Sequence, residues 1–542
     1  MSETFEWPKS PYKGLSYYGP SDVPLFAGRS EAVRRCAKQL GHRNTRLLIL
    51  QGTTGCGKSS FLRAGLIPYL ENQRGRFEFA RNSSSNQSEA LFVRSTDSPL
   101  KALASEIYRF ATNASIQTED GPEKLDLSTA LLGCHDATEF VERAGNRGGL
   151  LIDSLRAVAA EWPRSLVLVI DQGEEVLTLK SERDSSAELA RDQFFDFVYR
   201  FNKTEFDLKL IIAIRTEYYG KFTARMGRSL RDLTSVEIFY LNELSEPEIV
   251  EAIKRPTLQD AIPPYGRPCD QYHFVFEEQL PERIAHEVMS NQNIKGGKLP
   301  VVQIVCENLY NFAKKKSTSK SIFLVRSDDY DALPKVEVQL EQYLKQKLAE
   351  FAGDRVQRSA LDDEVDRWKD VLSGLSASQI DGTVVTQLKS KDDLKALARK
   401  YGCRLPFDET MSFLSDPNVR ILRGEEVINS VTNQPILAYS LGHDAIGLVM
   451  ERWKTIKDER DKRIAKLRPM YFVFGAISLA TSTFLWRRSN NFEASELVSL
   501  IYGLGFILVG TFPKTMEPAF NIIFRAQRRR TRNQVLPEST TK

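Results

Sequence analysis

Residues 52–59 read Gly52-Thr-Thr-Gly55-Cys-Gly57-Lys58-Ser59, a Gly-x-x-x-x-Gly-Lys-Ser pattern. The chemistry this spacing serves is phosphate binding. Glycines let successive backbone N–H groups close around an anion, and a helix opening at Lys58 adds its positive dipole end. In such a loop Lys58 reaches the β- and γ-phosphates and Ser59 holds Mg²⁺, with Ser60 beside it. The pattern functions only between a strand and a helix. Here the apolar run RLLILQ (46–51) precedes it, and the helical pattern SSFLRAGLIPYLE (59–71) follows.

A second apolar run, LVLVID (166–171), ends in an acid and continues as Gln-Gly-Glu174-Glu175. A carboxylate at the C-terminal end of a buried strand lies in the crevice where α/β sheets bind ligands. Asp171 is the candidate water-mediated Mg²⁺ ligand. Glu174 or Glu175 is the candidate for orienting the attacking water, against the plain alternative that both simply open a helix. A third run, LKLIIAIR (208–215), ends in Arg215, placed either to contact a γ-phosphate or to form a sheet-edge ion pair. Lys58, Asp171, Glu174, Glu175 and Arg215 form the candidate catalytic set, and Ser59 and Asp171 the metal pair.

These residues require a frame. Alternating strand and helix patterns predict an α/β doubly wound parallel sheet. At 542 residues the chain predicts several domains. With 42% hydrophobic and 27% charged residues it is neither disordered, collagenous, a coiled-coil rod nor a polytopic transporter. A net charge of +4 is too small to argue for nucleic acid by itself. Six scattered cysteines and five histidines make neither a disulfide framework nor a zinc site. The acidic start, Met1-Ser-Glu-Thr-Phe-Glu, predicts no secretory signal peptide.

Further along, residues 81–89 read as a polar loop and 113–147 as a partly ordered insertion. Residues 246–255 predict a helix stopped by Pro256, 262–268 a rigid proline-rich loop, and 299–312 an amphipathic helix with Pro300 in its first turn. No internal repeat is present. Two stretches, 469–486 and 497–513, carry no charge. As helices they reach roughly 25–27 Å, just short of a ~30 Å hydrocarbon core. Residues 452–468 carry eight Lys/Arg, the intervening loop two, and 514–532 six. This pattern predicts a membrane hairpin with both termini cytoplasmic, against the plain alternative of a buried helical hairpin in a soluble core. The basic cluster Arg525–Arg532 favours lipid head groups over nucleic acid.

Taken together, the soluble part resembles the STAND NTPases, most closely the bacterial novel STAND group. The residues that carry the resemblance are Pro11-Tyr-Lys-Gly-Leu15, Leu25-Phe-Ala-Gly28-Arg29, the phosphate loop, Asp171-Gln-Gly-Glu-Glu175, Ile211–Arg215, Gly297-Lys-Leu-Pro300 and His443-Asp444-Ala445, in the family's order across 11–455. The resemblance implies a P-loop NTPase domain (1–245), a helical lid (246–320) and a winged-helix domain (321–450). A basic linker helix (451–468), the two-helix transmembrane hairpin (469–513) and a basic tail (514–542) would follow. It implies ATP/ADP with Mg²⁺ as ligands, Gly28 and Arg29 near the adenine, Pro300 against the base, and His443 on the ADP β-phosphate as a latch. Gly52, Gly55, Gly57, Lys58, Ser59 and Ser60 complete the nucleotide set. Gly173 stands where the family usually has an aromatic, which implies looser packing behind the magnesium site.

The function implied is an ATP/ADP-gated switch in bacterial antiviral defence, slow in hydrolysis. On a trigger of unknown identity it would form a homo-oligomer and disrupt the bacterial inner membrane through its hairpin. The alternatives are a membrane-anchored ATPase motor or a passive nucleotide-dependent scaffold. A nucleic-acid partner is not expected.

Overall fold

In the computed structural model the described residues are 7–462, apart from 73–76, 80–91, 95–98, 119–120, 163, 179–184, 227–234, 258–270, 292–296, 318–321, 354, 358–359, 379–383, 417–418, 420, 429–434, 443–445, 448 and 461. Beyond 462 they are Val473, Ala476, Ile477, Ala480, Thr481 and Phe484. The chain divides into two units, Met1–Glu451 and Arg452–Lys542. The polar loop expected at 81–89, the proline-rich loop at 262–268, and His443 lie outside the described residues.

The first half of the larger unit runs α1 (Ser30–Leu40), β1 (Leu47–Gly52), α2 (Lys58–Ser60), a π-helical turn (Phe61–Leu66), α3 (Ile67–Glu71), β2 (Phe77–Phe79), β3 (Phe92–Arg94) and α4 (Pro99–Asn113). It continues with β4 (Ser115–Thr118), β5 (Gly121–Lys124), α5 (Ala137–Ala144), α6 (Gly148–Glu161), β6 (Ser165–Asp171), α7 (Glu175–Thr178), α8 (Ser185–Lys203), β7 (Leu208–Arg215), α9 (Thr216–Met226) and β8 (Val236–Tyr240). The main sheet has the order β2-β6-β7-β1-β8, with β3 also against β6, and every pairing is parallel.

Apolar runs suit this sheet because both of its faces are covered. Alternate residues feed two cores. Leu47 and Ile49 of β1, Leu166, Leu168 and Ile170 of β6, and Leu210, Ile212 and Ile214 of β7 enter one core. Leu48 and Leu50, Val167 and Val169, and Ile211 and Ala213 enter the other. This period of two fixes the strand register. It also brings the C-terminal ends of β1, β6 and β7 to one edge, with β7 between the phosphate-loop strand and the acid-bearing strand.

The stretch 113–147 is not the partly ordered insertion its composition suggests. β4 and β5 form an antiparallel hairpin. The Asp136 carboxylate caps α5 by accepting the Glu139 N–H at 2.9 Å. Leu127, Ala130, Phe140 and Ala144 are buried in the first core, where α5 packs on α4 and α6. So few apolar residues, so irregularly spaced, leave no periodic signal, yet they suffice to fill the space between two helices.

Next come α10 (Glu246–Lys254), β9 (Phe274–Phe276), α11 (Leu280–Ser290), α12 (Leu299–Lys316), β10 (Phe323–Val325), α13 (Ser327–Asp331) and α14 (Val336–Ala352). Ser245 and Glu248 form a capping box that starts α10, and Pro256 falls in the 3-10 turn that ends it. Pro300 sits in the first turn of α12, which runs to Lys316, four residues past the predicted end. β10 pairs in parallel with β9, tying residues beyond 320 to those before it.

The remainder comprises α15 (Leu361–Leu372), β11 (Ser376–Ser378), β12 (Val384–Thr386), β13 (Lys389–Ser390), α16 (Lys391–Tyr401), α17 (Phe407–Ser415), β14 (Leu422–Ile428) and β15 (Pro435–Leu441). β13, β15 and β14 form an antiparallel sheet beside these helices. Trp368, fully buried, anchors this part.

In the second unit, residues 452–460 are helical, with Trp453 buried. Among the described residues no helix is long and apolar enough to cross a membrane. The runs 469–486 and 497–513 lie almost wholly outside the described residues. The six described positions of the first run are helical, and Val473, Ile477 and Phe484 among them are exposed.

Candidate nucleotide site

The loop after β1 has the backbone that its glycines permit. Gly55 and Gly57 take φ of +78° and +91°, the left-handed region. A Cβ on Gly55 would stand 2.9 Å from the Cα of Gly297, so the loop and the start of α12 meet backbone to backbone. The Lys58 ammonium donates to the Gly52 carbonyl at 2.8 Å and the Thr53 carbonyl at 3.1 Å, bracing the loop from within. The Ser60 hydroxyl accepts the Tyr18 N–H at 3.1 Å.

The Ser59 hydroxyl donates to Asp171 Oδ2 at 2.9 Å, and Asp171 Oδ1 accepts the Gln172 N–H at 3.0 Å. A hydroxyl facing a buried carboxylate is the hard-oxygen pair that suits Mg²⁺. Among the described residues no cluster of three His, Cys, Asp or Glu side chains is placed to hold a metal. The remaining ligands would therefore be water and phosphate oxygens, as Mg²⁺ prefers. Gln172 holds φ of +60°, a conformation costly for a non-glycine residue and concentrated at functional sites.

Glu174 is engaged. Its Oε1 lies 3.1 Å from Nε of Arg215, and its Oε2 accepts the Arg215 backbone N–H at 3.2 Å. The carboxylate is 4% exposed and the guanidinium 25%. Of the two sequence readings for Arg215, the sheet-edge ion pair is the one present in this state. Glu175 begins α7.

The N-terminal segment clamps the site. Arg29, buried, donates from Nη2 to the Cys56 carbonyl at 2.8 Å, and burial lowers the pKa of its guanidinium. Burial also raises the pKa of the Cys56 thiol. Gly28 takes φ of +76°, and a Cβ there would meet the Glu248 carbonyl at 2.4 Å. Both residues thus tie α1 to neighbouring backbone.

One cavity of about 580 Å³ joins these parts. Its walls include Lys58, Ser59, Asp171, Glu174 and Arg215 on the sheet side, Tyr17 and Tyr18 from the N-terminal segment, and Pro300 and Gln303 from α12. The opposite wall carries Lys391, Asp408, Arg423 and Tyr439. Lys391 pairs with Asp408 at 2.7 Å, and that hydrogen bond lowers the Asp408 pKa. The volume falls within the ~300–1,000 Å³ of ordinary small-molecule sites.

The family described as Novel STAND NTPase 1 matches residues 11–362, well over half of the chain. The chain belongs to the novel STAND NTPases. No curated protein matches it in sequence. Among solved structures it is similar to Cdc6p from Pyrobaculum aerophilum, at 14% identity and a TM-score of 0.32, over 81% of this chain and 98% of that one. It is also similar to the ADP form of the Aeropyrum pernix ORC2 protein, at 11% identity and a TM-score of 0.33, over 79% and 94%. Likeness at that level is distant.

For a novel STAND NTPase, most of the motif residues meet at one cavity. Gly55, Gly57, Lys58, Ser59, Ser60, Asp171, Glu174, Arg215 and Pro300 share the cavity wall. Gly52 accepts from Lys58 just behind it. Gly28 and Arg29 are not among the lining residues. Gly442 lines the cavity one residue before His443. The expectation of loose packing at Gly173 is corrected. A Cβ there would stand 2.6 Å from Ile212 Cγ2, and the Gly173 N–H donates to the Ala213 carbonyl at 2.7 Å. The tight turn after β6 excludes the aromatic rather than leaving a gap for it. Tyr17, Tyr18, Gln303, Lys391, Asp408 and Arg423 went unseen in the sequence, because each reaches the cavity through tertiary packing and none belongs to a spaced motif.

Proposed function

We propose that this novel STAND NTPase is a switch gated by ATP and ADP. The observation that supports it best is the shared cavity: one nucleotide there would touch the phosphate loop, the start of α12 and the β14–β15 hairpin region at once. A ligand that binds one arrangement of these parts better than another shifts their balance. ADP would hold them closed, with Lys58 on the phosphates, Pro300 on the base and His443 as the latch. The winged-helix reading of 321–450 belongs to this proposal.

The Glu174–Arg215 pair favours slow turnover over a continuous motor. A carboxylate tied to arginine at both oxygens is not free to orient water. Hydrolysis would require Arg215 to move toward a γ-phosphate and release Glu174. Mg²⁺, held through Ser59 and Asp171, would supply charge neutralisation at the phosphates.

The wider role we propose is antiviral defence at the bacterial inner membrane. A trigger would open the latch, protomers would assemble, and clustered hairpins would breach the bilayer. The support is the pair of uncharged stretches with basic flanks, and the exposed apolar helical positions Val473, Ile477 and Phe484. The test is membrane potential and growth in bacteria expressing the wild type, Lys58→Ala, a chain lacking 469–542 or a chain with that tail exchanged for another two-helix anchor, with and without phage. Depolarisation on infection that needs both Lys58 and the tail supports the reading. An infection response that survives exchange of the tail for another two-helix anchor contradicts it.

A further inference from the structure

Gln303 lies one turn after Pro300 on the same face of α12 and is 4% exposed. Its Oε1 accepts the backbone N–H of Lys13 at 3.1 Å and the hydroxyl of Tyr18 at 2.7 Å. A backbone N–H can only donate, so the atom facing Lys13 is the amide oxygen, and chemistry alone fixes which way the amide points. Among the described residues these two bonds are the ones Gln303 makes, and both fall on the oxygen. The side chain lines the cavity. Its amide nitrogen makes no hydrogen bond among the described residues, and the side chain borders the ligand space.

The frame around this amide is anchored. The Lys13 ammonium pairs with the buried Asp22 at 2.9 Å. The Tyr18 N–H donates to the hydroxyl of Ser60, on the helix that follows the phosphate loop. The donor thus stands at a fixed position relative to the loop that would hold the phosphates. A donor already held in place adds a ligand hydrogen bond with little further cost of ordering the side chain.

We propose that the Gln303 amide N–H₂ donates to a lone-pair acceptor on the nucleoside and so determines which nucleoside the site prefers. This rests on the nucleotide reading of the cavity. Adenine ring nitrogens and ribose oxygens both offer such an acceptor. An adenine presents a bare N1 where guanine carries N1–H, which a donor-only amide at that edge rejects.

The test is calorimetric titration of the full chain with ADP, its 1-, 3- and 7-deaza analogues, and 2′-deoxy-ADP, in the wild type, Gln303→Glu and Gln303→Met. Gln303→Glu keeps an oxygen for Lys13 and Tyr18 but loses the donor. The readout is the ratio of analogue to ADP dissociation constants within each protein, which cancels general loss of stability or charge repulsion. In the wild type one analogue should bind about tenfold more weakly than ADP, and in both variants that ratio should collapse to about one. A deaza analogue singled out in this way marks a ring nitrogen as the partner, and 2′-deoxy-ADP marks the ribose. Ratios unchanged by both substitutions overturn the proposal, as does a wild type that binds every analogue as tightly as ADP. A wild type that binds no ADP overturns the nucleotide reading itself.

Discussion

Lys58, Glu174 and Arg215 each hold a partner in this state that a bound nucleotide would exchange. Lys58→Ala removes the loop brace and the phosphate contact together. ADP affinity should fall on the order of 100-fold, at charged hydrogen-bond strengths of ~1.5–3 kcal/mol each, with circular dichroism unchanged. Titration of the purified variant checks this. Arg215→Ala strands the carboxylate of Glu174, which is 4% exposed. Unfolding stability should drop by about 2–3 kcal/mol in urea titration. Arg215→Ala combined with Glu174→Gln should recover part of that loss, and additive losses would show that the pair is not coupled. Gly173→Ala places a methyl 2.6 Å from Ile212 Cγ2. The overpacking should cost about 1–3 kcal/mol in the same titration, whereas a loosely packed turn would tolerate it. The phosphate-loop residues were legible because spacing alone defines their chemistry. The bond of Arg29 to Cys56, like the fit of Gly173, was not, since both depend on what the fold brings alongside.

Elements were readable where their pattern was strong. β1, β6 and β7 begin and end within a residue of the apolar runs that foretold them. The stretch around α5 was not readable, although Phe140 is fully buried. Phe140→Ala should destabilise the chain by about 3–5 kcal/mol, a loss that a partly ordered insertion would not register. The joint between α12 and α14 carries a pH dependence. Burial raises the pKa of Glu307 to about 7, with Lys347 and Lys13 lowering it and Glu350 raising it. Its Oε2 is buried without a hydrogen bond among the described residues. The carboxyl thus favours its neutral form when folded, against ~4.3 in an unfolded chain. Its contribution to stability is full below about pH 4.3 and is lost as pH rises to about 7. Glu307→Gln should flatten the stability profile between pH 5 and 7.5 and gain most at the upper end. A profile identical to the wild type would contradict the neutral-acid reading.

At the scale of the whole molecule, the fold gathers residues more than 360 positions apart in sequence around one cavity. The Gly-Lys-Ser loop near residue 58 and the hairpin near 423 share its walls. That α17 and β14 share a cavity with the phosphate loop was not legible, because side-chain packing between distant segments leaves no periodic trace. The proposed hairpin tail rests on hydropathy and flanking charge alone. Removing 469–542 should leave nucleotide affinity within about twofold of the full chain, since the cavity is built within the first unit, and titration with ADP checks it. The most direct test of the switch is hydrogen exchange of the full-length protein with and without saturating ADP. Slowed exchange at 52–60 together with 422–428 and 435–441, absent in Lys58→Ala, is the expected result. Protection confined to 52–60, with the hairpin unchanged by bound ADP, would contradict a nucleotide that bridges the two walls.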